Sequence, residues 1–426
     1  MQQIGKYTIL KELGRGATGK VYLADDPFAK RQVAVKVAFP EALRDSEDGA
    51  FYRQMFLNEA SLAGKVSHPH IVQIYDAVVE ERSSYIVMEY VEGGTLEKFC
   101  KPDTLLPTRD VAEIIFKCVR ALAFAHALGL THRDIKPGNI LHSEGTEIKI
   151  ADFGAAINRV SDKTIISNVG SPAFMSPELV SGQAQADHRT DIYALGVVMY
   201  YMLLGRPPYQ GANAMSVIYQ IMNTDPDPVR KHREDVSEEL EAIVMTAIAK
   251  DPEKRYKSWE EFGSALAEIW KKEHRADEKK GQSDTERFSL AKTLPFFQHF
   301  PEKELWEVLR ISKWAKFKPD TVLIKEGDQG DSFYILAGGY VRVTRGKRTL
   351  SVLSGGDCFG EMSYLSPNGK QRSATVATTS DTIVIKIRAE DLRNASLQCR
   401  RLFDEKFLGT LVSRLEQANE QLAVMS

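Results

Sequence analysis

HRDIKPGNILHSEGTEIKIADFG, residues His132 to Gly154, places an acid at Asp134, an amide five residues later at Asn139, and a second acid at Asp152 two residues before a glycine. Between them Ile148, Lys149 and Ile150 alternate as a short strand would. A phosphoryl group in transfer spreads its charge over three oxygens. A protein therefore moves it mainly by positioning it and holding Mg2+, with one carboxylate to receive the attacking hydroxyl's proton. Asp134 suits the base, and Asn139 with Asp152 suits the metal. A plain polar loop leading into a strand would not require H-R-D, the asparagine and D-F-G within one 23-residue window.

The bulk numbers narrow the setting. A chain of 426 residues is long enough for two or three domains with sizeable cores. Its 56 basic residues nearly balance its 58 acidic ones, which argues against nucleic acid or a membrane surface as partner. Cys100, Cys118, Cys358 and Cys399 are scattered without a C-x-x-C pair, so free thiols in a reducing compartment are expected and no metal cluster is implied. The N-terminus lacks a signal-peptide core. The longest apolar run, Tyr193 to Gly205, is shorter than the roughly 20 residues of a membrane-spanning helix. A soluble, cytoplasmic protein is expected.

Upstream, residues 7 to 37 read as a strand, a glycine-rich turn and two more strands. Gly14, Gly16, Gly19 and Val21 form G-x-G-x-x-G-x-V. A dinucleotide fold also uses G-x-G-x-x-G, but there the third glycine opens a helix; here Val21, Tyr22, Leu23 and then VAVKV continue as β structure, with Lys36 in the second run. Glycines let the backbone fold closely over phosphates, and Lys36 follows that turn by about one hairpin. A helix over roughly Phe51 to Val66 carries Glu59, a candidate ion-pair partner for Lys36. YIVMEY, Tyr85 to Tyr90, reads as a buried strand that includes Glu89 and runs into Gly93 and Gly94, where a two-lobed enzyme would place its hinge. Val111, Ile114, Ile115, Cys118, Val119 and Leu122 trace the stripe of a core helix from Thr108 to Leu128 that leads into the loop quoted first.

Together these residues resemble a eukaryotic-type (Hanks-type) serine/threonine protein kinase over roughly Tyr7 to Trp270. The resemblance implies a two-lobed fold that binds Mg2+ and ATP. It places Gly14, Gly16, Gly19, Val21 and Glu89 around ATP, Lys36 on its α and β phosphates and Glu59 as the lysine's partner. It makes Asp134 the base, with Lys136 and Asn139 beside it, and gives Mg2+ to Asn139 and Asp152. Ser176, Pro177 and Glu178 stand where the family has A-P-E, Asp191 lies in DIYALGVV, and Arg255 resembles the partner of that glutamate. The polar stretch after Gly154 is similar to an activation segment, with Thr164 and Ser167 as phosphosite candidates facing Arg133, and Ser171 as the hydroxyl packed against the base.

From Lys271 to Arg287 the chain is charged and nearly devoid of apolar side chains, as a linker or a solvated helix would be. Beyond Phe288, FQHFPEKELWEVL looks helical. TVLIKEG, DSFYILAGGYVRVTR, TLSVL, SATVAT and DTIVIKI then alternate between turns, as in an antiparallel barrel or jelly roll. FGEMSYL followed by QRSATV resembles the phosphate-binding cassette of cyclic-nucleotide-binding domains. That resemblance gives Glu361 the ribose 2′-hydroxyl, Arg372 the cyclic phosphate, and Gly360 and Ser373 further contacts.

The C-terminal segment carries Leu408, Leu411, Leu415, Ala418, Leu422 and Met425 at helical spacing, a stripe expected to pack on the barrel, cover a bound base or pair with a second copy. The expected architecture is multidomain α+β: a kinase domain over 1–270, a charged linker over 271–287, and a cyclic-nucleotide-binding β jelly roll with flanking helices over 288–426. The expected function is ATP-dependent transfer of a γ-phosphoryl group to protein serine or threonine, regulated in cis by cAMP or cGMP. Two alternatives are a signalling scaffold that only binds ATP and a kinase whose β domain is an interaction module; the complete set Lys36, Asp134, Asn139 and Asp152 weighs against the first.

Overall fold

A computed structural model of the chain describes residues 3–16, 19–39, 47–62, 66–79, 84–153, 172–182, 187–273, 284–346, 348–365 and 371–425, excepting the side chains of 47–52, 55, 270–273, 413 and 415–425. The chain divides into two compact units, residues 1–280 and 281–426.

The first unit opens with an antiparallel sheet of β1 (Gln3–Ile4), β2 (Tyr7–Arg15), β3 (Gly19–Asp26), β4 (Arg31–Ala38), β5 (Ile74–Val78) and β6 (Tyr85–Glu89), in spatial order β1-β2-β3-β4-β6-β5. Tyr7, Ala24, Val33, Val35, Tyr85 and Val87 bury one core beneath it. Helix α1 (Glu47–Ser61) starts earlier than its apolar residues suggest, because Glu47 and Asp48 favour a helix's first turn.

The rest of the unit is mostly helical: α2 (Thr108–Ala127), α3 (Pro177–Ser181), α4 (His188–Leu204), α5 (Ala214–Asn223), α6 (Glu238–Ala247) and α7 (Trp259–Glu273), with a small sheet of β7 (Gly94–Thr95), β8 (Ile140–His142) and β9 (Ile148–Ile150). Helix α4 is apolar nearly all round because it is buried from Thr190 to Tyr200. An isolated parallel bridge, Ile71 to Ile150, ties the large sheet's lobe to the strand that precedes Asp152.

The second unit begins with α8 (Asp284–Thr293) and α9 (Glu302–Ile311) and continues through β10 (Ser312–Phe317), β11 (Val322–Ile324), β12 (Ser332–Gly338), β13 (Val341–Arg345), β14 (Arg348–Leu353), β15 (Cys358–Phe359), α10 (Met362–Leu365), β16 (Thr375–Thr378), β17 (Thr382–Arg388), α11 (Ala389–Arg393) and α12 (Leu397–Met425). Two four-stranded antiparallel sheets, β10-β17-β12-β15 and β11-β16-β13-β14, enclose Ile324, Leu336, Val341, Phe359, Val376 and Val384. On the outer face of β12, Phe333 joins Phe296, Phe300, Phe403 and Phe407, with ring centroids of 5.1 Å between Phe333 and Phe407 and 5.3 Å between Phe300 and Phe403.

The charged stretch is helical at both ends, α7 reaching Glu273 and α8 starting at Asp284, with Thr285 and Phe288 of α8 buried. Two expectations change. Strand β10, which the alternation did not reveal, pairs Lys313 with Lys386 and Ala315 with Val384 on one face, so a lysine interrupts its apolar period. The buried face of α12 is aromatic: Cys399, Phe403 and Phe407 are buried, whereas Leu408 is 64% exposed. Leu415, Ala418, Leu422 and Met425 lie outside the described side chains.

Candidate active site and nucleotide pocket

Strand β4 delivers Lys36 opposite Val21 of β3 and Ile86 of β6. Its ammonium donates to Glu59 of α1 at 2.8 Å and to Asp152. Burial alone would lower the lysine's pKa, but the charges of Asp152 and Glu59 outweigh it and hold the ammonium above its ordinary value. The charge of Lys36 in turn keeps the Asp152 carboxyl below its usual range against the effect of burial. Burial pushes Glu59 up, and Lys36 opposes that.

Of the three loop glycines, only Gly19 has no room for a side chain: a Cβ there would lie 2.1 Å from the Val37 carbonyl. Gly14 and Gly16 face open space, and the turn is closed by the Gly16 N–H donating to the Gly19 carbonyl at 2.9 Å. The Glu89 carboxylate is occupied by Lys149 at 2.9 Å, so that residue has its backbone, not its side chain, to offer an adenine.

The loop before β8 gathers the other polar groups. Lys136 donates to Asp134 Oδ2 at 2.7 Å, and the Asn139 amide donates to the Asp134 carbonyl at 2.7 Å and to Oδ2 at 2.9 Å. The loop is held from below by buried Asp191 of α4, whose carboxylate accepts the His132 N–H at 2.6 Å and the Arg133 N–H at 2.8 Å. The His132 ring bonds the Ala151 carbonyl at 3.0 Å and packs on Phe153, with centroids 4.5 Å apart. Arg133 and Asp152 sit at φ of 65° and 67°, a left-handed backbone that costs non-glycine residues about 1–3 kcal/mol each and persists where the surroundings impose it. Asp191 is the functional residue whose role the sequence left open: an acceptor of two backbone N–H groups has no period to betray it.

Among the described residues no three His, Cys, Asp or Glu gather around a metal position. Mg2+ needs less, since it usually keeps waters and phosphate oxygens beside one or two protein oxygens. Asp152 offers its carboxylate, and Asn139, whose NH2 is spent on Asp134, keeps its carbonyl oxygen. Further along, Glu178 of α3 and fully buried Arg255 form a two-pronged pair at 2.7 and 2.8 Å. Gly154, Thr164, Ser167 and Ser171 lie outside the described residues.

In the second unit, Gly360, Glu361, Arg372 and Ser373 do converge, on a cavity of about 430 Å3. Gly360 has φ of 78°, and a Cβ there would stand 2.8 Å from the Arg372 guanidinium. Arg372 donates to the carbonyls of Gly360 at 3.2 Å and Ser332 at 2.6 Å, and burial lowers its pKa. Among the described residues no carboxylate forms an ion pair with it. Glu361 is 5% exposed; one oxygen accepts from Arg414 of α12 at 2.8 Å and the other has no partner. Arg414 was not foreseen, although Phe403, Phe407, Thr410 and Arg414 follow a helical three-four spacing that marks the inward face of α12.

A two-lobed fold with a lysine–glutamate pair across sheet and helix, above a loop carrying H-R-D and D-F-G, defines a protein kinase. The protein kinase domain family model matches residues 7–268, and the chain belongs to that family. A cyclic nucleotide-binding domain model matches residues 314–398. The serine/threonine-protein kinase PknB of Mycobacterium leprae is 38% identical over 272 residues, which are 62% of this chain and 43% of that protein. The serine/threonine-protein kinase PrkC of Bacillus subtilis is 38% identical over 261 residues, 61% of this chain and 39% of that protein. The chain thus spans less than half the length of these relatives.

Proposed function

We propose that the chain transfers the γ-phosphoryl group of ATP to serine or threonine hydroxyls of proteins. The observation that carries this reading is that Lys36 lies between Glu59 and Asp152 while Asp134 is gripped by Lys136 and Asn139. The acceptor hydroxyl oxygen forms a bond to the γ-phosphorus, the bond to the bridging β–γ oxygen breaks, ADP departs, and the hydroxyl proton passes to Asp134. Lys36 would hold the α and β phosphates, and Lys136, 2.7 Å from Asp134, would meet the charge that develops on the moving group. Asp152 and Asn139 would hold Mg2+, which would supply charge neutralisation to the phosphates of ATP. Asp134→Asn should lower turnover of protein and Mg·ATP by about 100-fold or more, the usual scale for a general base. Full turnover in that variant would sink the assignment.

We further infer that the second unit binds cAMP or cGMP and biases the kinase in cis. A half-buried guanidinium bonded to carbonyls but to no carboxylate, lining a cavity with a buried glutamate, suits a small cyclic phosphate with a ribose. A ligand shifts activity only through unequal affinity for two states of the chain, so effects of about 5- to 150-fold are expected. Phosphorylation assays with each nucleotide, on wild type and Arg372→Ala, test this; an equal response in both proteins rejects it.

A further inference from the structure

Glu361 leaves one carboxylate oxygen buried and unpartnered. Buried acceptors of that kind are rare, because the lost hydration is not repaid. The other oxygen is held by a residue 53 positions away on α12, beyond the stretch that the cyclic nucleotide-binding family model matches.

The rotation of α12 is set by its aromatic residues. Phe403 and Phe407 are both buried, locked among Phe296, Phe300 and Phe333, and the next two positions on that face are Thr410 and Arg414. Thr410 meets Cys358 of β15, its hydroxyl 3.9 Å from the sulfur. One turn on, Arg414 spans two acceptors: Nη1 donates to Glu361 Oε1 at 2.8 Å, and Nη2 donates to the Cys358 carbonyl. A guanidinium is a rigid planar fork, so anchoring one prong on a fixed strand carbonyl fixes the direction of the other. Meanwhile Arg372, the other cation of the cavity, is bonded to the carbonyls of Gly360 and Ser332. The two arginines thus divide the work: one keeps the carboxylate, and the other stays available to an anion.

We propose that Arg414 is the positioning residue that aims the free oxygen of Glu361 at a ligand's ribose 2′-hydroxyl, and so sets the pocket's preference for cyclic ribonucleotides over their 2′-deoxy forms. This rests on the cyclic-nucleotide reading of the pocket. Without Arg414 the other cation lining the cavity is Arg372, and the two would pair with each other, withdrawing the acceptor from the sugar and the guanidinium from the phosphate together.

The test is calorimetry of the full-length chain with cAMP, cGMP and their 2′-deoxy counterparts. In wild type, loss of a hydroxyl that donates to a carboxylate should weaken binding by about 10- to 150-fold. Arg414→Ala should shrink that ratio to within about fivefold, the scale of an ordinary neutral hydrogen bond. Glu361→Gln should do the same, and the double variant should lose no more. If Arg414→Ala binds too weakly to titrate, Arg414→Lys carries the test: one ammonium cannot span both acceptors, so its ratio must fall below that of wild type. A wild-type ratio in Arg414→Ala or Arg414→Lys overturns the proposal. Failure of the wild-type chain to bind either ribonucleotide would overturn instead the reading of the pocket on which it rests.

Discussion

Replacing Asp191 by alanine should disable the active site from beneath, without touching ATP or acceptor. Its carboxylate takes the N–H groups of His132 at 2.6 Å and Arg133 at 2.8 Å, and all three residues lie in the interior or at its edge. Alanine strands two buried donors, each costing about 1–3 kcal/mol, so the observed loop loses about 2–6 kcal/mol relative to a relaxed one. Arg133 at φ of 65° gives the loop a reason to relax, since releasing that torsion recovers about 1–3 kcal/mol. Asp134 is the next residue and moves with it. At about 1.4 kcal/mol per factor of ten, turnover should fall by about 30-fold or more. Asp191→Asn keeps one neutral acceptor and should fall between wild type and alanine. Steady-state phosphorylation gives kcat and the KM for ATP, and kcat should carry most of the loss because Lys36 and the glycine turn are untouched. If Asp191→Ala keeps kcat within about threefold of wild type and unfolds at the same denaturant concentration, the two hydrogen bonds do not hold the loop, and the reasoning fails.

Glu178 supplies a pH prediction. Burial pushes its carboxyl up, but the hydrogen bonds and charge of Arg255 outweigh that and leave it below the ordinary 4.5. A depressed carboxyl contributes stability that is present above pH 4.5 and is lost as the pH falls through its folded value, so Glu178→Gln should flatten the acid limb of a denaturation curve followed from pH 6 to pH 3. An acid limb identical to wild type would refute the assignment. Metal removal should separate the two nucleotide sites: excess EDTA should abolish phosphoryl transfer while leaving cAMP or cGMP binding, followed by calorimetry, unchanged. Loss of cyclic-nucleotide binding on chelation would mean that a metal, not Arg372, meets the phosphate.

What could be read from the chain follows the range of the interactions. Asp134, Asn139 and Asp152 are legible because a loop and one hairpin bring them together, and Lys36 and Glu59 because they lie 23 residues apart across one strand and one helix. The core helix Thr108–Ala127 shows its period because one face is uniformly apolar. Strand β10 hides because its interior face begins with Lys313 at the barrel's end, where a charged side chain can still reach water. In α12, Leu408 turns outward while Phe403 and Phe407 are buried, so the aromatic cluster sets which side of that part of the helix turns inward. Arg414 then reaches Glu361 across 53 residues, a pairing that no local pattern encodes.

The two candidate sites treat charge in opposite ways. Around Lys36 there are two carboxylates to one ammonium, so a nucleotide triphosphate, itself multiply negative, would meet a site where negative charge is already in excess. Its phosphates would need a cation of their own, which Asp152 and Asn139 are proposed to share. In the second unit the balance is reversed. Glu361 is neutralised by Arg414, and Arg372 is held by the neutral carbonyls of Gly360 and Ser332, leaving one positive charge without a carboxylate at the wall of the cavity. A cyclic monophosphate carries a single negative charge and would be matched by one such partner, whereas a triphosphate would bring charge that Arg372 alone does not balance.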